Sequence, residues 1–173
     1  MSVDLEIKIN KAISVDHLLD ASEKVIKELL ALKDIPPSLK VEEMIKGHRQ
    51  SLTSNTFSAG RGMLLIGLEG LEDFATVNVV DLPALPPFSD GMTTGLHADV
   101  SATRSPIGYA LAACVAVALA RDEKSSIIDD AHFWTPVREQ SADNFARLIT
   151  LEGTYQTIPA AAEAMYAKMK DRA

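Results

Sequence analysis

Val3, Leu5, Ile7 and Ile9 alternate with Asp4, Glu6, Lys8 and Asn10, the period of two that marks a strand with one face in a core and the other in water. The period then lengthens. Val15, Leu18, Leu19, Ser22, Val25, Ile26, Leu29 and Leu30 recur as one helical stripe. Ser14 stands as its N-cap, Ile13 is placed to staple onto Leu18, and Asp20/Lys24 and Glu23/Lys27 are i,i+4 pairs on the wet side. Asp34-Ile35-Pro36-Pro37 ends the helix, since proline cannot continue it. From Ser38 to Gly62 neither period holds. Val41 to Lys46 reads as one or two helical turns, and His48 to Gly62 as polar loop. Gly60-Arg61-Gly62 has neither the spacing nor the lysine of a phosphate loop.

Apolar runs resume at Met63 to Ile66 and Phe74 to Asp81, with a turn between them, which predicts an antiparallel hairpin. Leu82 to Gly91 holds three prolines and cannot continue a central strand. Met92, Thr94, Leu96, Ala98 and Val100 then line one face of a strand, so His97 and Asp99 share the other. Next comes the dominant feature of the chain. Ser105 and Pro106 open a helix at N-cap and first position, and from Ile107 to Ala120 no side chain carries a charge. A helix apolar on every side must be covered on most of them, and this run is shorter than the roughly 20 residues of a membrane span. Ile127-Ile128 follows as a short strand. Ser141 caps a helix from Ala142 to about Leu151, and Thr157 or Ile158 opens a last one.

The order β-α-loop-β-β-β-α-β-α-α predicts an α+β fold: a two-layer sandwich whose antiparallel sheet carries its helices on one face. The nearest pattern is a ferredoxin-like split βαβ core with additions. One domain is expected over residues 1–173, with the C-terminal helices, about 142–172, packed on or flanking the core.

Charge changes the picture more than composition does. The net charge of −7 disfavours nucleic acid and anionic membrane as partners. No Lys or Arg occurs in the 42 residues between Arg61 and Arg104, a span that holds Glu69, Glu72, Asp73, Asp81, Asp90 and Asp99. A second gap, from Lys124 to Arg138, holds Asp129 and Asp130. These acids read either as ordinary turn residues or as one concentrated negative face. The first ten residues lack a basic segment followed by an apolar one, so a cytoplasmic location is expected. Cys114, the one cysteine, sits mid-helix among alanines as an inert core residue.

Two kinds of chemistry are open to these residues. His97 and Asp99, with Asp129, Asp130 and His132, are of the right types for a small hydrolase. His97 and Asp99 would act as a His–Asp base pair, or His97, Asp99, Asp130 and His132 would ligate a metal. The plainer alternative is that Asp129-Asp130 closes a strand and that Phe133-Trp134 covers the edge of the core. No nucleophile elbow, dinucleotide fingerprint or aromatic-basic surface is present, and no cofactor is expected. If they serve a surface or a site, His97→Ala and Asp129→Asn are expected to leave stability nearly unchanged.

The segment from Tyr109 to Trp134, YALAACVAVALA followed by SSIIDDAHFW, resembles small bacterial α+β proteins of the immunity or accessory type encoded beside secreted toxins. That resemblance implies action through a surface. With the acidic span it leads to the expectation of a non-catalytic module that binds a basic protein partner. The expected contacts are Asp90, Asp99, Asp129 and Asp130, with Phe88 and Trp134 as apolar anchors. A homodimer built on the C-terminal helix is a further possibility.

Overall fold

The computed structural model describes residues 4–34, 37–82 and 95–171. In chain order the elements are β1 (Asp4–Lys8), β2 (Ile13–Ser14), α1 (Val15–Leu29), β3 (Leu39–Ile45), β4 (His48–Ser51), β5 (Thr56–Phe57) and β6 (Met63–Leu68). Then come β7 (Phe74–Leu82), β8 (Gly95–Ala102), α2 (Pro106–Glu123), β9 (Ser126–Ile128), β10 (Glu139–Ser141), α3 (Ala142–Ile149) and α4 (Ile158–Lys170). Eight strands form one sheet in the order β10-β9-β1-β8-β7-β6-β3-β4, each antiparallel to its neighbours. The fold is α+β, a large antiparallel sheet with four helices packed on it. Strands β8 and β9 are joined by α2 and lie on either side of β1, which is compatible with a split βαβ core.

Strand register aligns the apolar positions into rows. Leu5 faces Val100, Val100 faces Val77, Val77 faces Leu64, and Leu64 faces Glu43, so this row crosses five strands on the helix side. The row on the opposite face runs Ile128, Glu6, Asp99, Asn78, Met63, Met44. Helix α2 lies across β7, β8, β1 and β9 and is enclosed from behind by α1, α3 and α4. Every residue from Gly108 to Ala120 is buried, which is why no stripe of this helix is polar. Its start is fixed as expected: Ser105 Oγ accepts the N–H of Gly108 at 2.9 Å. Gly108 is required there, because a Cβ would stand 2.1 Å from Thr103 Oγ1 and 2.4 Å from Thr103 O. Ser141 and Thr157 cap α3 and α4 in the same way.

The segment from 38 to 62 departs from expectation. Instead of helical turns and loose loop it forms the β3–β4 hairpin, closed by Lys46 and Gly47, both at positive φ. Two features hid this strand. Glu43 occupies an inward position in the alternation, and the turn carries lysine where asparagine or aspartate is the usual signal. Glu43 is fully buried and holds the following loop. Its Oε2 accepts the N–H and the hydroxyl of Thr53 at 3.1 and 2.8 Å, and its Oε1 is 2.8 Å from the Arg61 guanidinium. Burial acts to raise the Glu43 pKa, but the two Thr53 bonds and the Arg61 charge outweigh it and hold the carboxyl below its ordinary value.

The far end of this loop docks on α1. Phe57 enters the core opposite Ile13, and Asn55 Oδ1 accepts the N–H of Asp16 at 2.8 Å. Ser14 is the N-cap by position, but its side chain makes no cap bond, and Asn55 supplies that acceptor instead. Arg61 is committed to Glu43, Thr53 and Thr56, so it belongs to the loop's own scaffold.

Candidate functional site

Four carboxylates line one depression on the sheet face away from the helices. β1 presents Asp4 and Glu6 on that face because Leu5 and Ile7 point into the core. The antiparallel register sets Glu6 directly opposite Asp99 of β8, and Asp4 opposite Ser101. On the other flank Glu6 faces Ile128 of β9. The alternation of β9, continued past its end, turns Asp129 inward and Asp130 outward. Asp4, Glu6, Asp99, Asp130, Ile128 and Ala131 line a depression of about 250 Å3.

Like charges are concentrated in this depression. Like charges directly opposite each other across a strand pair are destabilising. Partial burial, followed by repulsion from Glu6 and Asp4, pushes the Asp99 carboxyl above its ordinary value, with His97 working the other way. Ser101 Oγ donates to Asp4, and the Arg138 guanidinium holds Asp130 at 2.6 Å near the rim.

The expected contacts are divided by the structure. Asp99 and Asp130 come together, joined by Asp4 and Glu6 from the outer face of β1. Asp129 is different. It is fully buried, with Oδ1 accepting the N–H of Phe133 at 3.2 Å and Oδ2 those of Trp134 and Thr135 at 2.8 and 3.0 Å. Its carboxylate shapes the 129–135 turn and is not at the surface. Trp134 is 1% exposed and packs edge-on against Tyr109 and Phe133, so it is a core residue and no surface anchor. Asp90 and Phe88 lie outside the described residues.

His97 does share the outer face of β8 with Asp99, but it is fully buried between Lys8 and Val80 in register. The surface placement on which His97→Ala and Asp129→Asn were expected to leave stability nearly unchanged is thereby corrected, since both side chains are buried. His132 is exposed, at φ +50° in the turn. Among the described residues no three His, Cys, Asp or Glu side chains are grouped to hold a metal ion, so His97, Asp99, Asp130 and His132 do not form a ligand set. Cys114 is buried in α2, where burial pushes its thiol far up, as for an inert core residue. Among the described residues no helix is long and apolar enough to cross a membrane.

Comparison of the chain with protein-family models, with curated proteins and with solved structures yields no match.

Proposed function

We propose that the protein is a non-catalytic binding module that receives a basic segment of a partner protein at the acidic depression of Asp4, Glu6, Asp99 and Asp130. The observation that carries this reading is the cross-strand pair Glu6–Asp99, a like-charge contact kept at the centre of an open face. A lysine or arginine seated on this depression would gain charge-assisted hydrogen bonds to its carboxylates, which are stronger than neutral ones. The net charge of −7 would speed the approach of such a partner. The likeness of the Tyr109–Trp134 segment to toxin-immunity proteins suggests that the partner is a basic toxin or effector, inhibited by being covered.

The test is capture of partners from the native host by tagged wild type and by a Glu6→Gln/Asp99→Asn variant, followed by affinity measurement with the purified partner. A basic protein should bind the wild type in 0.1 M salt and weaken sharply towards 1 M, where the Debye length falls from about 10 to about 3 Å. The variant should bind at least tenfold more weakly. A partner that binds both forms equally, at either salt concentration, would place the interface elsewhere.

A further inference from the structure

On the opposite side of the molecule, the last two turns of α2 pass the first two turns of α1 through alanines. Ala118 and Ala21 are too small to fill the space between the helices, and a cavity of about 310 Å3 remains. That is at the small end of ligand sites, which span roughly 300–1,000 Å3. Its floor is apolar, formed by Ile13, Leu18 and Leu119 beside the two alanines. The mouth is polar and fixed in place. His17 Nε2 meets Asp122 Oδ1 at 2.8 Å, bridging the two helices. Glu123 Oε2 accepts both the backbone N–H of Asn10, at 2.8 Å, and its side-chain amide, at 3.1 Å.

Asp122 and Glu123 outnumber Lys11 among the charged groups that line this mouth. Asp122 and Glu123 occupy the last turn of α2, the negative end of the helix dipole, where carboxylates are disfavoured and cations are stabilised. The basic residue of that turn, Arg121, is drawn away to Glu28 at 2.7 and 3.0 Å and to Asp143 at 3.0 Å. Lys11 stands at the rim, but among the described residues no ion pair joins it to either acid. An apolar chamber is thus capped by two held carboxylates at a helix C-terminus, and among the described residues Asp122 Oδ2 and Glu123 Oε1 accept no hydrogen bond.

We propose that this cavity binds a small amphipathic amine, with its short alkyl chain over Leu18, Ala21, Ala118 and Leu119 and its ammonium between Asp122 and Glu123. The site is separate from the acidic depression on the sheet and does not depend on it. An anionic headgroup would have Lys11 in its favour and both carboxylates against it, which makes the sign of the headgroup the discriminating property.

The experiment is an amide chemical-shift titration of the full chain at pH 7 with n-hexylamine, with hexanoate and hexanol as matched controls. Hexylamine should give saturable shifts centred on residues 11–21 and 118–123, and hexanoate should give none there. Asp122→Asn combined with Glu123→Gln should weaken hexylamine about tenfold or more, the scale of losing a charged hydrogen-bond partner. Ala21→Leu, which fills the cavity from α1, should abolish binding. Ala12→Leu approaches the same space from the β1–α1 connection and serves if the first variant does not fold. Equal response to hexanoate, no saturation, or binding that survives a folded cavity-filling variant would each overturn the proposal.

Discussion

Replacing Asp129 by alanine removes the acceptor for three backbone N–H groups at once. The bonds to Trp134 and Thr135 are buried, and that to Phe133 is partly so. A hydrogen bond to a charged group contributes about 1.5–3 kcal/mol, and a buried donor left without an acceptor costs about 1–3 kcal/mol. The three bonds share one side chain and do not add fully. A loss of about 3–5 kcal/mol is expected, a large part of the 5–15 kcal/mol that holds a typical domain. With a urea m-value near 2 kcal/mol/M, the unfolding midpoint should fall by roughly 1.5–2.5 M. Asp129→Asn retains one carbonyl oxygen for Trp134 and Thr135 and turns an amide towards the Phe133 N–H, so it should cost about half as much. Trp134 is the sole tryptophan and lies in the turn that Asp129 organises. Its fluorescence during urea unfolding therefore reports the element under test. If both variants unfold within 0.5 kcal/mol of wild type, the carboxylate is not what holds this turn, and the assignment of Asp129 as a structural acceptor fails.

Three further outcomes follow from the same geometry. Ala116→Leu forces extra methylenes into a fully buried position of α2 and should cost about 1–3 kcal/mol in the same urea assay. Glu43→Gln leaves Arg61 facing a neutral group and should cost about 2–3 kcal/mol at pH 7, less than a fully buried pair because Arg61 keeps 22% exposure. Since the folded Glu43 carboxyl lies below its ordinary value of 4.5, its contribution is complete above that value and is lost as pH falls through the lowered one. Stability-versus-pH curves of wild type and variant should accordingly converge on acidification. Asp99→Asn relieves the repulsion with Glu6 and should stabilise by about 0.2–1 kcal/mol at pH 7. The Asp99 carboxyl is raised above 3.8, so its ionisation costs stability as pH climbs from that value through the raised one, and the variant's advantage should vanish below it.

Much of the fold was legible in the sequence, for reasons that are local. Period-two alternation placed β1 and the outer face of β8, and the uncharged run from Ile107 to Ala120 required the enclosure that α2 receives from the sheet and three helices. Ser105, Ser141 and Thr157 marked three helix starts, because an N-cap satisfies N–H groups within three residues of itself. The β3–β4 hairpin was not legible, because Glu43 breaks the pattern and is tolerated only through Thr53 and Arg61, ten and eighteen residues further on. Half of the candidate depression was named, as Asp99 and Asp130. The other half, Asp4 and Glu6, lies more than ninety residues from Asp99 and is brought to it by strand register, which no local pattern encodes. Asp129 and Asp130 are adjacent and chemically identical, yet one is consumed in the interior and the other lines an open face. The difference is the direction in which β9 leaves each side chain pointing and which backbone groups wait there. The sequence alone determines most of the helices and strands and which of their faces must be buried. Which charges meet, and which are spent on holding the chain, is decided by contacts between segments far apart in the chain, whose register only the assembled sheet sets.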